Sequence, residues 1–184
     1  MPGLSIKSIL GIVDVQVRTI DCPMTPAVVL GLTSANAEDS GDQVGSLLFI
    51  PTPPSGTIHG ARWIDPTASQ SSQILAHLFK GSVTVAADDA AYSISDEDMR
   101  AYALDTIDFS TYYSNAASVY VPKNNLGIPY NTRTGGLWIA LSTGGTPTYT
   151  TPGWPSIQLT IYSDDPKWYP GKLYGDKLYP EYGG

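Results

Sequence analysis

Apolar and polar residues alternate along most of this chain with the period of two that is typical of β-strands. Val13, Val15 and Val17 alternate with polar or charged residues, which predicts a strand with one buried face. In residues 57–65 and 73–79, apolar side chains occupy both parities, which predicts strands covered on both faces. We therefore place the middle of a β-sheet domain in this region.

Several further segments have the same character, and turn-forming residues separate them. The other predicted strands are residues 45–50, 103–109, 118–122, 137–142 and 156–162, with short runs at 28–32 and around Val83 and Val85. The predicted loops are residues 34–45, 51–56, 66–72, 123–136 and 143–155, which are rich in Gly, Pro, Ser, Thr or Asn. This pattern predicts an all-β fold, a jelly-roll-type β-sandwich of about eight strands.

The sequence predicts one short helix. Ser95 is suited to be its N-cap, and the acidic residues 96–98 would occupy the first turn, near the positive end of the helix dipole. Residues 99–103 would complete it.

Composition narrows the range of functions. The chain of 184 residues has only 15% charged residues and a net charge of −7, which disfavours nucleic acid as a partner. The single Cys22 excludes an internal disulfide. No apolar run is long enough to span a membrane, and the N-terminus lacks a signal-peptide pattern. We expect a protein that stays in the producing cell or in a particle assembled there.

Residues that could carry chemistry are present but do not form a recognisable motif. His59 and His77 lie in predicted strands without a second His or a Cys at ligand spacing, so structural roles are favoured over base or ligand roles. Cys22, Ser71 and Ser72 have no partner base in any known pattern. The glycine-rich residues 134–136 and 143–145 lack the helix and Lys of a phosphate loop. We predict no catalytic residue, no cofactor and no metal.

Two other groups of side chains leave alternatives open. The acidic clusters could offer oxygen ligands to Ca²⁺, but a solvated turn, a helix cap and a domain-end turn are favoured. They are Asp88 and Asp89, residues 96–98, and Asp164 and Asp165. The scattered aromatic residues could stack on sugars, although core or interface positions are favoured. They include Trp63, Tyr92, Tyr112, Tyr113, Trp138 and Trp154.

The end of the chain follows a different pattern, a repeat of five residues that reads KWYPG, KLYGD and KLYPE, followed by YGG. Such a segment cannot form its own core, so it either folds back on its domain or binds a partner, and a partner is favoured. We divide the chain into an N-terminal arm or first-strand lead-in at 1–12, a β-sandwich at 13–163 and a C-terminal arm at 164–184. The predicted partner-binding residues of the arm are Lys167, Trp168, Tyr169, Lys172, Leu173, Tyr174, Lys177, Leu178, Tyr179 and Tyr182.

Residues 86–98 (AADDAAYSISDED) resemble a segment found in a family of small structural proteins of tailed bacteriophages, which are encoded beside the major capsid protein. In that family an A-D-N-A-A-F-x-[LI]-S-D segment follows a strand that ends like ILAHLF at 74–79. Here Asp89 replaces the usual Asn. GLWIA at 136–140 and IQLTI at 157–161 resemble the two closing strands of the family, so the similarity covers residues 12–163.

The resemblance implies a non-enzymatic virion protein with a jelly-roll-type fold, similar to capsid decoration or cement proteins. Its expected partners are the major capsid protein and other copies of itself, as a trimer or dimer, with no nucleic acid and no membrane. The expected location is the outer capsid surface, after assembly in the host cytoplasm. One alternative is a carbohydrate- or receptor-binding appendage of the virion, and a third hypothesis is a glycan-active enzyme.

Overall fold

The computed structural model describes residues 16–23, 39–65, 72–114, 119–132, 135–148 and 155–164. Within these ranges the chain forms nine β-strands and one α-helix. In chain order they are β1 (Gln16–Pro23), β2 (Leu48–Pro51), β3 (Ser55–Asp65), β4 (Ile74–Phe79), α1 (Asp96–Tyr102), β5 (Ala103–Phe109), β6 (Tyr113–Ser114), β7 (Val119–Asn131), β8 (Gly136–Thr143) and β9 (Ser156–Ser163).

The strands form two antiparallel sheets. The five-stranded sheet has the order β1-β9-β3-β7-β6, and the four-stranded sheet has the order β2-β8-β4-β5. Apart from the two-residue β6, this is the strand order of a jelly roll, in which the chain crosses repeatedly between two facing four-stranded sheets. The predicted fold class, an all-β sandwich with one short helix, is therefore confirmed.

The core lies between the inner faces of the two sheets. In β9, Ile157, Leu159 and Ile161 are fully buried, as the alternation of the sequence predicts. The rings of Trp63 on β3 and Phe109 on β5 meet across the two sheets with centroids 6.3 Å apart. Each such large apolar side chain contributes about 1.5–3 kcal/mol when buried. This core fixes which side chains face outward.

Helix α1 forms as predicted. The Ser95 side chain accepts a hydrogen bond from the Asp98 backbone N–H at 3.1 Å, so Ser95 is the N-cap. Asp96, Glu97 and Asp98 occupy the first turn. The helix ends because Ala103 adopts an extended conformation, and strand β5 begins at that residue.

The prediction of a loop at residues 123–136 is wrong, since β7 continues to Asn131. Gly127 and Pro129 favoured a loop, but β7 pairs with β3 on one side and with β6 only at its first two residues on the other. Proline is tolerated where a strand has a free edge. Asn125 and Gly127 take positive φ angles, so they mark a local irregularity within the strand.

Two smaller predictions are also wrong. No strand forms around Val83 and Val85, which lie in an irregular segment. Gln43 and Val44, placed in an exposed loop, are fully buried. Strand β1 is described from Gln16 onward, whereas the predicted start at Val13, the run at 28–32, the loop at 66–71 and the lead-in at 1–12 lie outside the described residues.

Candidate interaction surfaces

The outer face of the four-stranded sheet is covered by the chain's own residues 80–95, which we call the crossing segment. This segment forms a second hydrophobic cluster with the outward side chains of β4 and β8. The buried members are Phe79, Val83 and Ala140, and Leu47, Val85, Tyr92, Ile94 and Trp138 pack against them. The apolar outward residues of β4 therefore predicted a covered face correctly.

Hydrogen bonds hold the crossing segment against residues 41–45. The Asp88 carboxylate accepts a hydrogen bond from the Gly45 N–H at 2.6 Å. The Gln43 N–H donates to the Ala90 carbonyl at 2.8 Å, and the Asp89 N–H donates to the Gln43 carbonyl at 3.1 Å. The Asp88 carboxylate therefore has a structural role, which is to hold the turn at residues 88–90 against residues 43–45.

Asp89 adopts a left-handed backbone conformation, with φ of 61°. Among residues other than glycine, Asn and Asp tolerate this region best. This conformation accounts for the choice of Asp at this position.

His77 lies beneath the crossing segment on the outward face of β4. Its Nδ1 is 3.0 Å from Thr106 Oγ1, and its Nε2 is 2.9 Å from Ser142 Oγ. The Tyr92 ring stacks on the imidazole with centroids 4.3 Å apart. Burial lowers the pKa of His77 to about 4, so the ring is neutral at pH 7. Both nitrogens already have partners, which is the geometry of a structural histidine.

The other chemical candidates remain apart from one another. The rings of His59 and Tyr162 pack together with centroids 4.7 Å apart, on the opposite sheet from His77. Asp98 lies in α1 and its carboxylate accepts from the Thr84 N–H at 3.3 Å. Within the part of the chain that the structure describes, no three His, Cys, Asp or Glu side chains are grouped so that they would hold a metal ion. Ser71, Asp165 and Trp154 lie outside it.

The predicted aromatic candidates divide into buried and exposed groups. Trp63 is a core residue, and Tyr112 is half-buried beside the core. Trp138 pairs with Phe49 on the four-stranded sheet, with centroids 4.9 Å apart, and Phe49 is 41% exposed. Sequence reasoning missed Phe49, although its position between buried Leu48 and Ile50 signals an outward side chain.

The outer face of the five-stranded sheet carries a polar depression, which sequence reasoning also missed. Its volume is about 320 Å³. Residues from three adjacent strands line it, among them Gly60, Arg62, Pro122, Asn124, Gln158 and Thr160. Beside it Tyr113 and Tyr120 stack, with centroids 5.5 Å apart, and they are 51% and 36% exposed. The prediction that both faces of β3 are covered is therefore wrong for this face, where Arg62 is exposed.

The C-terminal arm lies outside the described residues beyond Asp164, so its ten predicted partner-binding residues remain a prediction. Of the two predicted glycine-rich loops, residues 143–145 lie at the end of β8, where the Gly144 N–H donates to the Gln73 carbonyl at 2.8 Å. Cys22 lies in β1, paired with Ile157.

Comparison with protein-family models, with curated proteins and with solved structures returns no match. None of the helical residues in the described ranges forms a span long and apolar enough to cross a bilayer.

Proposed function

We propose that this chain is a non-enzymatic structural protein of a tailed-phage virion, which decorates the outer capsid surface and stabilises the shell by contacts across capsid joints. The jelly-roll body provides a rigid unit, and the C-terminal arm anchors it. The partners are the major capsid protein and further copies of the chain.

The observation that supports this proposal most is the structural role of the segment that resembles the phage family. Asp88 holds Gly45, Asp89 takes the left-handed conformation, Tyr92 covers His77, and Ser95 caps α1. The fold thus gives a structural reason for each of these residues of the pattern. Fold by itself does not define function, so the likeness enters here as support.

A second support is an exposed acidic strip at residues 96–105. Asp96, Glu97 and Asp105 are exposed, as are Met99 and Tyr102, at 44% and 37%. Arg100 is the one cation in this range. No residue of α1 is buried. The strip thus combines negative charge with apolar side chains on the surface.

The arm has the complementary composition, since the order Lys, then Trp or Leu, then Tyr recurs in it every five residues. We assign the arm of a neighbouring copy as the occupant of the acidic strip. Twenty residues beyond Asp164 reach up to about 66 Å when extended, which is enough to cross to an adjacent subunit. Exposed ion pairs contribute only about 0–1 kcal/mol each, so burial of the arm's aromatic residues supplies most of the affinity.

Truncation tests the proposal. A chain that lacks residues 167–184 should keep the melting temperature of the body, because the described core lies upstream of them. It should lose most of its occupancy on particles stripped of this protein, measured by electron microscopy after a salt wash. Equal occupancy of the truncated and full-length chains would contradict the anchoring arm. Failure of both to bind any phage head would contradict the decoration function.

Charge exchange tests the acidic strip separately. The double variant Asp96→Lys/Glu97→Lys and the double variant Lys172→Glu/Lys177→Glu should each weaken self-association, measured by sedimentation. Mixing the two variants should restore it, because opposite charges then meet again. Asp39→Lys, an exposed acidic residue outside the strip, is the control and should change nothing. No rescue on mixing would contradict this assignment of the arm.

A further inference from the structure

The depression on the five-stranded sheet arises from a defect in strand pairing. The register of β3 shifts between Ile58 and Gly60 against both β7 and β9, so a bulge lies in the middle of the sheet. Bulges re-aim side chains, and glycine in a strand often marks a place where another group approaches closely. At this position the outer face of the sheet has a hollow, which a side chain would fill in a regular strand.

Gly60 forms the floor of the depression. A side chain there would begin 3.0 Å from the Lys123 carbonyl oxygen and would point between Asn124 and Thr160, at 3.7 and 3.8 Å from their nearest atoms. The strands set Asn124 and Thr160 directly opposite Gly60 on its two sides. The missing side chain therefore leaves a space bordered by an amide and a hydroxyl.

Arg62 lies two residues beyond Gly60 on β3, and its neighbours on the adjacent strands are Pro122 and Gln158. It is exposed, and none of the side chains that line the depression is acidic. Arg62 is therefore the one charged residue among those that line the depression. A guanidinium held on a strand binds carboxylates through two parallel hydrogen bonds.

Aromatic rings border the depression at both ends. Tyr120 precedes Pro122 by two residues on β7, so both side chains face outward, and Tyr113 stacks on Tyr120. At the other end the Tyr162 ring contacts His59. An exposed tyrosine pair offers a flat, rigid apolar surface whose hydroxyls remain in water.

From this arrangement we infer that the depression binds an acidic saccharide. The amide of Asn124 and the hydroxyl of Thr160 exchange hydrogen bonds with sugar hydroxyls, and the Tyr120 ring packs against the C–H face of a sugar ring. Arg62 binds a sugar carboxylate. A volume of about 320 Å³ lies at the lower end of the range of roughly 300–1,000 Å³ for small-molecule sites.

The experiment uses the full chain on an array of neutral and acidic saccharides, followed by calorimetric titration with a uronic-acid hexamer and with maltohexaose. We expect retention of acidic saccharides and selective binding of the uronic-acid hexamer. Arg62→Gln should weaken that binding about tenfold or more, because a charge-assisted pair is lost. Tyr120→Ala should weaken it about fivefold or more, because a stacking surface is lost.

Phe49→Ala is the matched control, since Phe49 is a similarly exposed aromatic residue on the other sheet, and it should leave binding unchanged. An array that retains no acidic saccharide, equal binding of the two hexamers, or binding that survives both site variants would overturn the inference. The result is independent of the decoration function, because Arg62→Gln leaves the arm and the acidic strip intact.

Discussion

The two outer faces of this sandwich differ in whether the chain covers them. The four-stranded sheet is covered by the crossing segment, which buries Phe79 and Val83. The five-stranded sheet leaves Arg62 exposed, with a polar depression and a stacked tyrosine pair beside it. The difference follows from the outward residues, which are Leu75, His77 and Phe79 on β4 but polar on β9. An outward face that is apolar must be covered by something, and here the chain covers it itself.

The comparison predicts that shortening a side chain on the covered face lowers the free energy of unfolding far more than shortening one on the open face. Phe79→Ala should lower the free energy of unfolding by about 3–5 kcal/mol, because it leaves a cavity beneath the crossing segment. Denaturant unfolding followed by circular dichroism measures this change. A loss below about 1 kcal/mol would mean that the crossing segment does not seal this face.

A smaller effect is expected where the crossing segment is fastened. Asp88→Ala removes the carboxylate that accepts from the Gly45 N–H, and it should cost about 1.5–3 kcal/mol of stability. Amide exchange at Gly45 should accelerate with it. Asp89→Asn is the companion variant and should be neutral or slightly stabilising, because Asn also tolerates positive φ. A destabilising Asp89→Asn would contradict the backbone explanation.

Lowering the pH should reduce the free energy of unfolding through the protonation of His77, which lies on the covered face. Its pKa is about 4 when folded and 6.5 when exposed, so between these values the unfolded chain binds the proton more readily. The stability that His77 provides is fully present above pH 6.5 and is lost as the pH falls toward 4. After discounting for partial exposure we expect about 1–2 kcal/mol.

The measurement compares the wild-type chain with His77→Gln at several pH values between 7 and 4. Carboxylates titrate equally in both, so the difference between them isolates the imidazole. Parallel profiles of the wild type and His77→Gln would show that His77 gains no proton on unfolding.

The smallest effect is expected on the open face. Tyr120→Ala should change the free energy of unfolding by less than about 1 kcal/mol, because Tyr120 is 36% exposed and its ring stacks on Tyr113, which is itself 51% exposed. The same variant should clearly weaken saccharide binding. A large loss of stability instead would assign the tyrosine pair to the fold and not to a ligand.

Much of the architecture could be predicted because its signals are local. The alternation in Ser156–Ser163 sets which side chains of β9 are buried, and Ser95 followed by three acidic residues sets the start of α1. Such signals depend on neighbours within a turn of helix or two residues of strand. The depression escaped prediction because Gly60, Asn124 and Thr160 meet only across three strands that are distant in the sequence.

Long-range pairing also decided where local signals misled. Asn125, Gly127 and Pro129 predict a loop, yet β7 runs through them because β3 supplies its hydrogen bonds and its other edge is largely free. Val83 and Val85 have strand propensity, yet they pack as a cover on Phe79. By itself the sequence determined an all-β sandwich with one capped helix. The tertiary structure decided which outer face is sealed and which is open, because that depends on where distant segments pack.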